Sequence, residues 1–211
     1  MMKLNDKNPG ALEFTIFEKN VAVTDEDLIT AEMQFENNYL KNCKGLIFHC
    51  LVRNLKGQYA NVLFAENLNS LKEAEKGFSE NPATKEFLRC INHESVKVFY
   101  YEIPKNNFTV PETFGCIEHG LFTVKSDSFS EDNLLKTSED IEKKYLSSFS
   151  ENSGHFMGKI NTETYSEIAF GSTLGKTREI CFGYVNNPVC QPLLNMFIPE
   201  SVNLDFWTVI A

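Results

Sequence analysis

Apolar and polar residues alternate along "ALEFTIF", residues 11 to 17, as they do on a strand with one buried face. The period then changes. In "TDEDLITAEMQFENNYL", Leu28, Ala31, Phe35 and Tyr39 recur at helical spacing behind Thr24, a side chain suited to capping a helix N-terminus. "GLIFHCLV" and "YANVLFA", separated by the polar "RNLKGQ", predict a β-hairpin around Gly57. A second helical stretch from Leu68 to Phe78 breaks and restarts at Asn81-Pro82, with asparagine as cap and proline at the first helical position. "SVKVFYYEI" adds a last strand, so the order is βαββαβ.

The same order returns in the second half. One ungapped shift of 106 positions aligns Tyr39-Leu40 with Tyr145-Leu146, Asn81-Pro82 with Asn187-Pro188, Glu94-Ser95-Val96 with Glu200-Ser201-Val202, and His49 with His155. Ser130 opens the second helix, and "HFMGKI", "YSEIAFG" and "SVNLDFWTVI" supply strands. Residues 104 to 115 have the prolines and polar side chains of a linker. The predicted class is α+β, with two tandem ferredoxin-like repeats, residues 11–105 and 112–211. One repeat buries a single sheet face beneath its two helices. "LIFHCLV" and "NVLFA" are apolar on both faces, so the repeats are expected to cover each other, sheet to sheet, as an intramolecular α+β barrel.

In this element order and duplication the chain resembles the dimeric α+β barrel superfamily, and within it the antibiotic-biosynthesis-monooxygenase-like and stress-responsive barrel group. The resemblance implies oxygenation of an electron-rich aromatic or enolic substrate without a bound flavin or metal, so no cofactor is expected. Such chemistry needs a base to form a phenolate or enolate and hydrogen-bond donors to hold the anion.

Alternation puts Val62 and Phe64, with Ile168 and Phe170, on a fully apolar face that suits the helices. The mixed face is expected to look into the space between the sheets. It carries His49, Arg53, Tyr59 and Asn61 in one half and His155, Lys159, Tyr165 and Glu167 in the other, with Tyr101 and Trp207 joining from the last strands. His155 or His49 is the candidate catalytic base and Glu167 a candidate to orient a histidine. Tyr59, Asn61, Tyr165, Trp207 and Tyr101 are candidates to bind the substrate. A competing reading is a non-catalytic ligand-binding or stress-response barrel, in which buried, bonded histidines only fix the packing.

Composition narrows the classes. At 211 residues with 42% apolar and 23% charged side chains, the chain can bury a substantial core. A net charge of −9 without a Lys/Arg cluster argues against nucleic acid. No apolar run has signal-peptide or membrane-spanning length, so a cytoplasmic protein off the membrane is expected. Six cysteines without a C-x-x-C spacing disfavour structural zinc and point to reduced thiols.

"FGSTLGKTRE", residues 170 to 179, misses the phosphate-loop spacing by one residue, because Phe170 stands where glycine is required. His93 and His119 fall near element ends and are expected to be solvated, and no metal site is expected from His49, His155 and Glu167 on separate sheets. The partner expected is a small molecule. Edge strands leave homodimer formation open.

Overall fold

The computed structural model describes residues 1–125 and 129–211. Two compact units divide the chain: Met1–Glu102 with Val209–Ala211, and Ile103–Thr208. The first holds β1 (Met2–Lys3), β2 (Ala11–Lys19), α1 (Asp25–Asn38), β3 (Leu46–Asn54), β4 (Tyr59–Ala65), α2 (Leu68–Glu75), α3 (Pro82–Arg89) and β5 (Ile91–Glu102). The second holds β6 (Cys116–Thr123), α4 (Glu131–Lys144), β7 (Asn152–Lys159), β8 (Thr164–Gly171), α5 (Leu174–Gly183), α6 (Gln191–Met196) and most of β9 (Asn203–Val209).

Antiparallel pairing orders the first sheet β1-β3-β4-β2-β5. The second runs β7-β8-β6-β9. In both, the first strand of the βαββαβ repeat lies between the third and the fourth, which is the ferredoxin-like arrangement.

Local chemistry sets the ends of these elements. Thr24 and Asp27 form a reciprocal capping box at the start of α1, satisfying two backbone donors that the helix leaves open. Asn81 accepts from the amides of Ala83 and Thr84, and Pro82 opens α3 where its missing N–H costs nothing. The hairpin between β3 and β4 turns at Gly57 with φ +83°, a conformation that disfavours a side chain.

Helix and hairpin are then locked together in the same way in each unit. The Tyr59 hydroxyl donates to Asp25 at the start of α1 over 2.7 Å, and Arg53 reaches the same carboxylate at 3.0 Å while lying over the Tyr59 ring. Tyr165 and Lys159 repeat this on Glu131 of α4, at 3.2 and 2.5 Å.

Leu28, Ala31 and Phe35 of α1 and Phe87 of α3 pack on Phe17, Leu51 and Leu63 of the first sheet. The segment expected as a linker belongs to the second unit, because Phe108 and Phe114 pack on Phe156 and Phe170 at ring distances of 4.6 and 4.9 Å. Val209–Ala211 fall in the first unit, where Ile210 and Ala211 exchange backbone hydrogen bonds with Leu51. All six cysteines are free thiols. Among the described residues no helix is long and apolar enough to cross a membrane.

The capping box makes a direct expectation. Thr24→Ala removes the side-chain acceptor at the start of α1 and should lower stability by about 1 kcal/mol, read as a shift in the urea midpoint at unchanged m-value.

Candidate functional site

Strand register decides which side chains share a surface. Across the first sheet, His49 of β3 lies beside Leu63 of β4, Leu63 beside Glu13 of β2, and Glu13 beside Tyr100 of β5. The next row on that face carries Asn61, Thr15 and Val98. This mixed face lies under the helices, which corrects the sequence expectation that it points away from them.

The reason for that orientation is the inward face of α1. It carries Glu32 and Glu36, and these meet His49: Nδ1 lies 2.8 Å from Glu36 Oε1, and Nε2 lies 3.2 Å from Glu32 Oε1. Phe48, Cys50, Val52, Val62 and Phe64, expected to suit the helices, point to the opposite side of the sheet and are buried there. Tyr101 and Trp207 also sit on the faces opposite to His49 and His155, in register with Leu12 and Ile117. Tyr59 and Tyr165 are engaged in the two hairpin locks. Of the candidates in the first half, His49 and Asn61 come together at a cavity.

That cavity, of about 550 Å³, lies between the first sheet and its helices. Phe35, Phe78 and Phe87 form an aromatic wall, with Phe35 stacked on Phe87 at 5.2 Å and edge-on to Phe78 at 5.4 Å. The floor presents His49, Asn61, Glu13 and Thr15, and the exposed Val98 and Tyr100 stand on β5. No lysine or arginine lines it among the described residues. Sequence reasoning missed Glu13, Thr15 and Tyr100. Glu13 is the single acid of "ALEFTIF" and was legible by parity, because it alternates with apolar residues that face the other way.

Electrostatics separates two kinds of acid here. Burial raises the Glu13 pKa, with the charge of Glu75 adding to it, against the Thr15 hydroxyl that donates to the carboxylate at 2.6 Å. Burial pushes Glu32 up to about 7, against the attraction of His49. For His49 burial opposes the charged form, but the Glu32 and Glu36 carboxylates outweigh it and the pKa is raised. Glu13 borders the cavity and can meet a ligand, whereas Glu32 and Glu36 stand behind His49.

The second unit repeats the floor. His155 lies beside Ala169 and Ala169 beside Glu118, as His49, Leu63 and Glu13 do in the first sheet. His155 Nε2 meets Glu167 Oε1 at 2.8 Å, and the Tyr184 hydroxyl donates to the same oxygen at 2.8 Å. The void bordered by Glu118 and Tyr184 measures only about 10 Å³. Burial, and then the neighbouring Glu167, raise the pKa of Glu118. His119 is buried, not solvated as its place near an element end led one to expect, and burial pulls its pKa down to about 4.

A raised carboxyl keeps its proton in the native state after the unfolded chain has released it, so stability falls as pH climbs above the ordinary value of 4.5. Glu118→Gln removes that ionisation. Between pH 5 and pH 8 the variant should lose less stability than the parent, as measured by urea unfolding at both values.

No family model and no curated protein matches this sequence. Solved structures do match in fold. An anthrone oxidase-like protein shares 9% identity at a TM-score of 0.60, covering 100% of this chain and 94% of its own. An uncharacterized ferredoxin-fold protein from Listeria monocytogenes, related to antibiotic biosynthesis monooxygenases, shares 10% at 0.56, covering 96% of each chain. A haem-binding protein from Thermus thermophilus shares 11% at 0.58, covering 96% of this chain and 92% of its own.

The buried histidines do not fit a haem. Glu32 stands 3.2 Å from His49 Nε2, where the macrocycle would have to lie, and His155 has Glu167 at 2.8 Å. At these identities the likeness is one of fold, and the fold is ferredoxin-like.

Proposed function

We propose that the first unit is a monooxygenase-like enzyme that oxidises a neutral aromatic or enolic compound in the cavity between its sheet and helices. The cavity itself carries this reading: about 550 Å³ of largely apolar space with a half-buried carboxylate, Glu13, in its floor. The aromatic wall suits a flat ring system. The absence of any lysine or arginine from the lining among the described residues, with Glu13 and Glu75 present, disfavours a substrate bearing a carboxylate or phosphate. Relatives in fold are described as an anthrone oxidase-like protein and as monooxygenase-related, which points the same way.

The chemistry assigned to the residues is proton transfer and the positioning of a ligand hydroxyl. Glu13 takes a proton from an activated CH₂ or phenol, and the resulting enolate or phenolate passes an electron to molecular oxygen. For a CH₂ centre the balance is CH₂ + O₂ → C=O + H₂O, with one oxygen atom retained and the other leaving as water. Asn61 Oδ1 is buried without a hydrogen-bond partner among the described residues, so a ligand hydroxyl can supply the missing donor. His49, one of the two histidines expected as base, has both ring nitrogens turned to helix carboxylates and serves here as cavity wall. His155 and Glu167, bonded to each other at 2.8 Å in the second unit, are given no role in this reaction.

Oxygen uptake with anthrone as substrate tests the proposal. The parent should consume about one O₂ per substrate, and Glu13→Gln should lower kcat by about 10²–10⁴-fold with a smaller change in KM. The base must be ionised to act, so the rate should rise with pH through a pKa above the usual carboxylate value of 4.5 and be lost below it. Ligand binding without oxygen uptake by the parent would convert the reading to that of a binding protein.

A further inference from the structure

Behind the cavity wall lies a cluster that this reaction does not use. Glu32 and Glu36 occupy successive turns of α1 and converge on His49 of β3. Glu32 and His49 are fully buried, and Glu36 is 5% exposed. One ligand-capable atom from each of the three lies within 4.8 Å of the others. The Glu36 contact is an ordinary hydrogen bond to Nδ1. The Glu32 contact is not: its oxygen approaches Nε2 to 3.2 Å, yet both Glu32 oxygens and Nε2 lack a hydrogen-bond partner among the described residues.

Three unpartnered polar atoms around one buried point require an explanation, since a buried polar group left unsatisfied is destabilising. A proton shared between Glu32 Oε1 and His49 Nε2 at 3.2 Å pairs those two atoms and leaves Glu32 Oε2 without a partner. A cation satisfies them together. Imidazole nitrogen and carboxylate oxygen sit about 2.0–2.2 Å from zinc, which in tetrahedral geometry sets ligand atoms roughly 3.4 Å apart, close to the observed 3.2 Å. Two carboxylates balance a divalent charge, and one imidazole with oxygen ligands suits zinc, manganese or ferrous iron.

The second unit lacks this arrangement. The position of Glu32 is taken by Ser138, Glu142 is paired with Lys105 at 2.7 Å, and His155 turns to Glu167. We propose that Glu32 and His49 Nε2 bind a divalent first-row transition-metal ion in the wall of the first unit's cavity, with Glu36 holding the imidazole through Nδ1. The site goes beyond the oxidase reading and stands whether or not the cavity turns a substrate over.

The test uses the full chain, stripped with a chelator, exchanged into metal-free buffer and titrated with Zn²⁺ and with Mn²⁺ by calorimetry. The parent should bind one equivalent of at least one ion, and Glu32→Gln should weaken it by about 100-fold or more, beyond the usual loss for an outer-shell partner. Glu142→Gln, altered at the matching position of the second unit, should bind as the parent does. Should Glu32→Gln fail to fold, X-ray absorption on the metal-loaded parent decides: one imidazole with oxygen ligands supports the site, and sulfur ligation overturns it. Binding of neither ion by the parent, or undiminished binding by folded Glu32→Gln, also overturns it.

Discussion

A buried imidazole on a strand must be met by hydrogen-bonding groups from whatever packs above it, and the first unit is organised around that requirement at His49. The strand period sends His49, Asn61 and Glu13 to one face, and α1 brings Glu32 and Glu36 down onto it. Because a one-residue slip would send every side chain to the opposite face, this polar pairing ties the register of β3 to the rotation of α1. The aromatic packing of Phe35 on Phe87 then roofs the space beside it.

The two units show how one floor supports two outcomes. Each carries a histidine and a glutamate flanking a small or aliphatic residue of the central strand. In the second unit Glu167 stands where Asn61 stands in the first, and it draws in both His155 and the Tyr184 hydroxyl. The void beside that set of bonds, bordered by Glu118 and Tyr184, measures about 10 Å³. In the first unit Asn61 recruits neither, and about 550 Å³ stays open. Divergence at one inward position was visible from the sequence, but which half had kept the space was not. Glu167, which the sequence marks as a site candidate, is bonded to His155 and Tyr184.

The acids of the first unit also divide by access. Glu13 faces the cavity with a pKa raised by burial, as a base acting on a ligand needs, whereas Glu32 and Glu36 do not line it and meet His49. Their separation keeps a proton-transfer group and a candidate metal centre on one floor, about two strand spacings or ~10 Å apart.

The sequence by itself determined the elements, their order and their caps, because these follow from local rules: Thr24, Ser130 and Asn81 cap helices, Gly57 turns a hairpin, and the hydrophobic period changes between strand and helix. It also determined which side chains share a strand face. Only the tertiary structure decided which face looks to the helices, since parity is blind to what lies above a sheet and "LIFHCLV" is buried on both sides. Partners from distant elements settled it. Glu32 and Glu36 lie more than ten residues from His49 in the chain, and no spacing rule joins a helix turn to a strand across the connection between them. The cavity belongs to the same class of fact, because empty volume is a property of packed neighbours and not of any one residue.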